Sequence, residues 1–163
     1  MNRKMRRFRQ KLSDEQTIEI LERNTNGTLA LIDDEGYPYA LPISYVYDDG
    51  KIYFHSAVTG HKIDAIRANP VASFAVIDQD EILPEKFTTC FKSAVCFGRI
   101  RILEDRDEMI AALDRLARKY SPNVSAELKE AEIAGAINRV TIIELDIEEM
   151  SGKQGKELLS QNA

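Results

Sequence analysis

The sequence is short of the residues that build metal sites, disulfide frameworks and fibres. Its 163 residues include two cysteines and two histidines, with no CxxC or HExxH pattern, so a zinc site would need distant convergence and no metal is expected. Cys90 and Cys96 sit six apart in one expected strand, about 20 Å when extended and beyond disulfide reach, so both read as buried thiols. Eight glycines and five prolines exclude collagen-like and low-complexity chains. No apolar stretch approaches the roughly 20 residues that span a bilayer. The basic N-terminus runs into a polar segment without the apolar core of a secretory signal, so a cytoplasmic protein with no membrane partner is expected. There is no G-x-S-x-G elbow for a serine nucleophile and no repeat of solenoid period.

What remains is ordinary globular composition, 44% hydrophobic and 30% charged, over a length that suits one domain. The net charge of −5 is unevenly spread. Met1 to Lys11 carries six bases and no acid, while the other 152 residues carry 16 bases against 27 acids, a balance of −11. An acidic body argues against a nucleic-acid partner, and leaves the arm to touch a subunit, a surface or a phosphorylated ligand. The expected organisation is a basic arm over 1–12, one domain over 13–150 and a tail over 151–163.

Ser13 to Gln16 has capping-box form, and Ile18, Ile20 and Leu21 give the following helix an apolar face to about Arg23. The period then changes. Thr28–Ile32 and Tyr37–Tyr47 read as hairpin strands around Asp33 to Gly36. Tyr39, Leu41, Ile43, Tyr45 and Tyr47 share one face of the second, and Pro42 marks an edge, a bulge or an interruption. Lys51–Ala57 is a third strand, Thr59–Asn69 a short helix, and Val71–Ile77 a fourth strand before an acidic loop over Asp78–Glu85. Thr88–Leu103 is a long strand that Gly98 invites to bend. Met109, Leu113, Leu116 and Tyr120 define an amphipathic helix. A helical piece over Ser125–Ala134 and a last strand over Asn138–Ile147 follow. About six strands in local hairpins favour a mainly β, antiparallel barrel with short peripheral helices over a parallel α/β sheet.

The chemistry-bearing feature is Gly60-His61-Lys62 at the start of the Thr59–Asn69 helix. Cations there oppose the macrodipole by a few tenths to about 1 kcal/mol, which makes sense if an anion, most plausibly a phosphate, occupies the helix end. Thr59 as a plain N-cap beside a solvated Lys62 is the alternative. His55, at the end of the preceding strand, suits a proton donor or ligand contact, or a histidine satisfied by backbone at a barrel rim.

Arg6-Arg7, Gly27-Thr28-Leu29-Ala30, Gly36-Tyr37-Pro38-Tyr39 and Pro42-Ile43-Ser44-Tyr45 occur in order. Ile52-Tyr53-Phe54-His55-Ser56-Ala57, Gly60-His61-Lys62, Asn69-Pro70 and the Lys92-Ser93-Ala94-Val95 to Gly98 strand follow them. Together they resemble the pyridoxamine 5′-phosphate oxidase-like, FMN-binding split-barrel family, in the branch related to nitroimidazole-resistance flavoproteins. The resemblance implies a six-stranded antiparallel split barrel, paired as a homodimer with FMN at the subunit interface. It places Pro42, Ile43, Ser44 and Tyr45 against the isoalloxazine, His55, Ser56 and Ala57 along the same site, and Lys62, helped by His61 and the Gly60 backbone, on the phosphate. Thr89, Ser93 and Lys153 are further cofactor contacts, and His55 is the candidate catalytic residue. The implied activity is an FMN-dependent oxidoreductase that takes electrons from NAD(P)H and reduces a small organic acceptor, such as a nitroimidazole. A flavin storage or sensing protein without turnover is the alternative. In such a dimer the arm reads as a clamp across the interface or near the FMN phosphate, with Arg6 and Arg7 its main contributors.

Overall fold

Ser13 opens the first helix as its neighbours imply: its Oγ accepts the Gln16 amide at 3.2 Å, and its own amide donates to Gln16 Oε1 at 3.0 Å. This helix, α1 (Asp14–Arg23), buries Ile20 and Leu21. The computed structural model describes residues 4–159, so positions 1–3 of the arm and 160–163 of the tail lie outside the described residues.

Seven strands follow in one antiparallel sheet: β1 (Asn26–Ile32), β2 (Pro38–Ser44), β3 (Val46–Asp48), β4 (Lys51–Ser56), β5 (Val71–Leu83), β6 (Thr88–Ile102) and β7 (Thr141–Gln154). Their order is β2-β1-β5-β6-β7-β4-β3. Only Tyr45 separates β2 from β3, yet these two strands are the opposite edges of the sheet. One continuous segment therefore serves both edges, and the sheet curls until they meet, which closes a barrel. The expected six strands become seven because that segment is broken at Tyr45. Pro42 lies on the edge strand β2, where its missing N–H costs no ladder bond.

Alternation sorts the side chains. Ile52 and Phe54 of β4 enter the barrel interior with Leu29, Phe74, Cys96 and Leu145, while Tyr53 between them faces a second cluster under α3 (Arg106–Tyr120) with Ala112 and Leu116. Asp105 caps α3 by accepting the amides of Asp107 and Glu108. Short α2 (His61–Ala68) buries Ile63 and Ile66 against the barrel, and α4 (Ala126–Ala136) lies outside with no buried residue. Cys90 and Cys96 are free and buried, and burial pushes the Cys96 thiol up to about 12. Among the described residues no helix is long and apolar enough to cross a membrane.

One expected loop and the start of the expected tail are strand. The acidic stretch expected as a loop over Asp78–Glu85 pairs with β6 as far as Leu83 opposite Thr88, and the last strand continues past Ile147 to Gln154, where it pairs with Lys92. Exposed Asp80 and Glu81 gave the first the appearance of loop, and Gly152 and Lys153 gave the second that of a tail.

A register shift between Ile77 and Gln79 sets Asp78 out of the β5 ladder, where its side chain meets α1. Arg23 Nε donates to Asp78 Oδ1 at 2.6 Å, Nη2 donates to Oδ2 at 2.5 Å, and Asn24 Nδ2 donates to Oδ1 at 2.8 Å. The Arg23 hydrogen bonds hold the carboxyl below its ordinary value, burial opposes them, and Asn24 adds to the lowering. A carboxyl depressed in the folded state stabilises fully above its unfolded pKa, roughly 3.9, and loses that contribution as pH falls through the folded value. Asp78→Asn should therefore cost about 1 kcal/mol at pH 7, modest because Arg23 is half exposed. Urea unfolding checks this: the gap to wild type should shrink at pH 3, and a gap of equal size at both pH values would refute the pairing.

Candidate functional site

The last residues of β4 and the first of α2 meet at one rim of the barrel. His55 pairs with Ile142 and Ser56 with Thr141 across the β4–β7 ladder, so the chain leaving β4 is held beside the start of β7. It then turns at Gly60, whose φ of +127° no side-chain-bearing residue adopts without strain. A Cβ there would meet nothing within 4 Å, so the backbone of this turn faces open space.

Gly60, not Thr59, is the N-cap of α2, and no side chain caps this end. The Gly60 carbonyl accepts the amides of Ile63 and Asp64, while the amides of His61 and Lys62 precede the first helical hydrogen bond. Lys62 is half-buried, and burial pushes its ammonium below the ordinary lysine value. Among the described residues no carboxylate pairs with it. A half-buried cation beside free helix amides is a cradle for an anion.

Around this turn lies a cavity of about 460 Å³. His55, Ser56 and Ala57 form one wall, Thr59 to Lys62 another, and Tyr39, Arg139 and Val140 complete it. Six of the residues expected from the sequence thus come together: His55, Ser56, Ala57, Gly60, His61 and Lys62. His61 is already engaged. Its ring stacks on Tyr39 with centroids 4.2 Å apart, and Nε2 lies 3.3 Å from Asp33 Oδ2. Asp33 is held below the usual carboxylate range chiefly by the Tyr37 amide, with burial opposing and His61 and Glu35 assisting. Asp33 and His61 therefore brace the Asp33–Tyr37 turn against α2 and fix the cradle's position.

Arg139 is the lining residue that the sequence did not disclose. It sits between α4 and β7, where its Nε donates to the Gly135 carbonyl at 2.8 Å. That bond aims a second cation at the cavity from 77 positions further along the chain than Lys62, with no local motif to announce it.

The remaining expected contacts lie elsewhere. Tyr45 is fully buried, its hydroxyl donates to the Leu21 carbonyl at 2.8 Å and its ring packs edge-on against Phe74. Ile43 packs against the same core. These two side chains are thus engaged by the barrel core within one chain. Pro42 and Ser44 alternate with them and are exposed. Ser93 and Lys153 pair across β6 and β7, with Lys153 Nζ 5.3 Å from the Phe91 ring centroid, and Thr89 lines a separate cavity. Within one chain these three do not reach the α2 cavity.

The fold and its rim define a split-barrel protein with a cationic cradle at a helix start. The family profile described as pyridoxamine 5′-phosphate oxidase matches residues 13–154, and the chain belongs to that family. No curated protein matches it. Among solved structures, a candidate 5-nitroimidazole antibiotic resistance protein from Bacteroides thetaiotaomicron is 22% identical with a TM-score of 0.74, over 88% of this chain and 86% of that one. An FAD-binding protein from Mesorhizobium loti is 28% identical with a TM-score of 0.60, over 90% and 97% of the two chains. The FAD and heme binding protein from Mycobacterium smegmatis is 20% identical with a TM-score of 0.74, over 90% and 74%.

Proposed function

We propose that this chain binds FMN with its phosphate at the start of α2, and passes electrons from NAD(P)H to a small organic acceptor such as a nitro compound. The observation that carries the reading is the pair of cations, Lys62 and Arg139, around the uncapped Gly60 turn. Family membership and the FAD-binding relatives support a flavin as the class of cofactor. The resistance protein, alike in fold, suggests the acceptor.

The residues present fit such a group. A half-buried ammonium, a guanidinium and two helix amides suit a dianion, and the open side of Gly60 leaves room for close approach. Ser56 and Ala57 wall the cavity beyond the phosphate, and Tyr39 adds a flat face already ordered by His61. A bound flavin supplies the electron transfer itself. His55 lines the cavity, is exposed and its ring has no hydrogen-bond partner among the described residues, so the ring is free to hand a proton from solvent to a reduced acceptor. The dimer belongs to the same proposal: Ile77, Ile82 and Phe87 stand exposed on the β5–β6 hairpin, an apolar face suited to a second copy.

Titration with FMN, FAD and riboflavin, followed by quenching of flavin fluorescence, tests the reading. FMN should bind about tenfold or more tightly than riboflavin, which lacks the phosphate and its charge-assisted hydrogen bonds. Equal affinities would remove the phosphate from α2, and failure to bind any flavin would overturn the reading. Reduction of the loaded protein by NADH or NADPH, then reoxidation by nitroaromatic compounds, separates an oxidoreductase from a flavin carrier.

A further inference from the structure

We propose that α4 is a ligand-ordered helix: loosely held in the free protein, it is stabilised through Arg139 when a phosphate occupies the start of α2. The inference rests on the reading of the Gly60 turn as a phosphate site. α3 and α4 are neighbours in sequence and in space, yet they are held very differently. α3 buries Ala112 and Leu116, is capped by Asp105 and carries Arg118 and Lys119 in its last turn. None of the residues of α4 is buried. Its least exposed positions, Lys129, Ile133 and Ala136, share one face and are only half-buried, and Leu128 stands exposed. At its start the Ser125 hydroxyl accepts the Leu128 amide at a long 3.4 Å. With 11 residues, α4 is shorter than the roughly 12–15 at which an isolated helix is even marginal in water, so a helix with so little burial opens easily.

Arg139 joins this helix to the α2 cavity. A helix leaves its last carbonyls without amide partners, and α4 has no basic residue in its last turn to offset them. Arg139, just beyond the helix, does so instead. Its Nε donates to the Gly135 carbonyl at 2.8 Å, and its amide donates to the Ala136 carbonyl at 2.7 Å. A guanidinium carries five donors in a rigid fork, and the Gly135 bond uses one of them. Among the described residues Arg139 pairs with no carboxylate, so its other donors and its charge are available where it lines the cavity. Nε can hold Gly135 while the Nη groups hold an oxyanion. An anion beside Lys62 fixes the guanidinium, the fixed guanidinium holds the Gly135 carbonyl, and the last turn of α4 is ordered with it. Buried Ile137 anchors the chain immediately after the helix, so the device works by fraying and re-forming α4 in place.

Such a coupling is reciprocal. Whatever the phosphate does for α4, the stability of α4 does for phosphate affinity, because binding is weakened by the fraction of molecules in which the helix has opened. A ligand without a phosphate leaves α4 as it found it. Occupancy of the α2 cavity is thereby carried to an outer face of the molecule, at Glu127, Leu128 and Glu130, where loaded and empty protein differ.

Hydrogen exchange of the full chain, free and saturated with FMN or riboflavin, tests it. In the free protein the amides of α4 should exchange about tenfold or more faster than those of α3. FMN should slow α4 about three- to tenfold, and riboflavin should not. In Arg139→Ala, saturated with FMN through Lys62, α4 should stay at its free rate. Ala131 is exposed on α4 and outside the cavity lining, so Ala131→Gly should weaken FMN about two- to fivefold through the helix alone and leave riboflavin affinity unchanged. Exchange of α4 as slow as α3 in the free protein would overturn the proposal. So would FMN protection of α4 that survives Arg139→Ala, or an FMN affinity that Ala131→Gly does not move. FMN binding that leaves α4 exchange unchanged would end this inference and keep the phosphate site, whereas no FMN binding at all would end both.

Discussion

Gly98→Ala should destabilise the protein by about 3 kcal/mol or more, because the added methyl has nowhere to go. Gly98 sits in β6 where the pairing with β7 shifts register: Phe97 faces Glu149, Gly98 faces Ile147, and Glu148 is left over. That bulge presses the β7 backbone onto Gly98. A Cβ would overlap the Asp146 carbonyl oxygen and lie 2.9 Å from its carbon and 3.1 Å from Ile147 Cα. All three atoms are main chain in the middle of the barrel, so no side chain can swing aside to relieve the clash. At roughly 2–4 °C per kcal/mol for a chain of this size, the melting temperature should fall by about 6–12 °C. Gly135→Ala supplies the opposite sign. It lies near the end of α4, its Cβ would meet only Arg139 Nη2 at 3.5 Å, and relief of helical glycine should stabilise by up to about 1 kcal/mol. Thermal melts of both variants check the pair; a fall of under 2 °C for Gly98→Ala would show that the β7 bulge yields.

The contrast between these glycines shows where sequence reading stops. Gly98 inside a strand pattern announced a bulge, and a bulge is there, but the atoms that crowd it come from residues 146 and 147, nearly fifty positions on. Signals confined to one turn were legible: the Ser13–Gln16 box, the Asp33–Gly36 turn and the apolar stripe of α3. Strand ends were not, because Gln79–Leu83 and Glu149–Gln154 pair with β6 at positions their own composition does not reveal. Alternation correctly grouped Tyr39, Leu41, Ile43, Tyr45 and Tyr47 on one face, yet alternation cannot say which face is inside. Closure of the barrel decides that, and it sends Tyr45 to Leu21 and Phe74. In the site, Gly60-His61-Lys62 was visible as a motif, whereas Arg139 reaches it only through the β4–β7 ladder.

Lys62→Ala should weaken FMN binding by about 10- to 150-fold, the loss of one charge-assisted contact worth about 1.5–3 kcal/mol, while riboflavin affinity stays nearly constant. The free protein should lose little stability, since the ammonium removed is half-buried and lacks an ion-pair partner among the described residues. Arg139→Ala should cost less, because its guanidinium already donates to Gly135 and approaches from the far wall. The double variant should fall short of the sum, as both cations act on the same dianion. Proton linkage gives a second readout. Burial lowers Lys62 in the free protein and a bound dianion raises it, so FMN affinity declines as pH rises through the free-protein value, where the empty site has already lost the proton that the complex keeps. At the acidic side the phosphate dianion itself takes up a proton near pH 6, roughly, and affinity declines again. Riboflavin carries no phosphate and should show neither limb. An FMN dissociation constant within about twofold of wild type in Lys62→Ala would take the phosphate away from α2, and with it the reason that Gly60, Lys62 and Arg139 stand together.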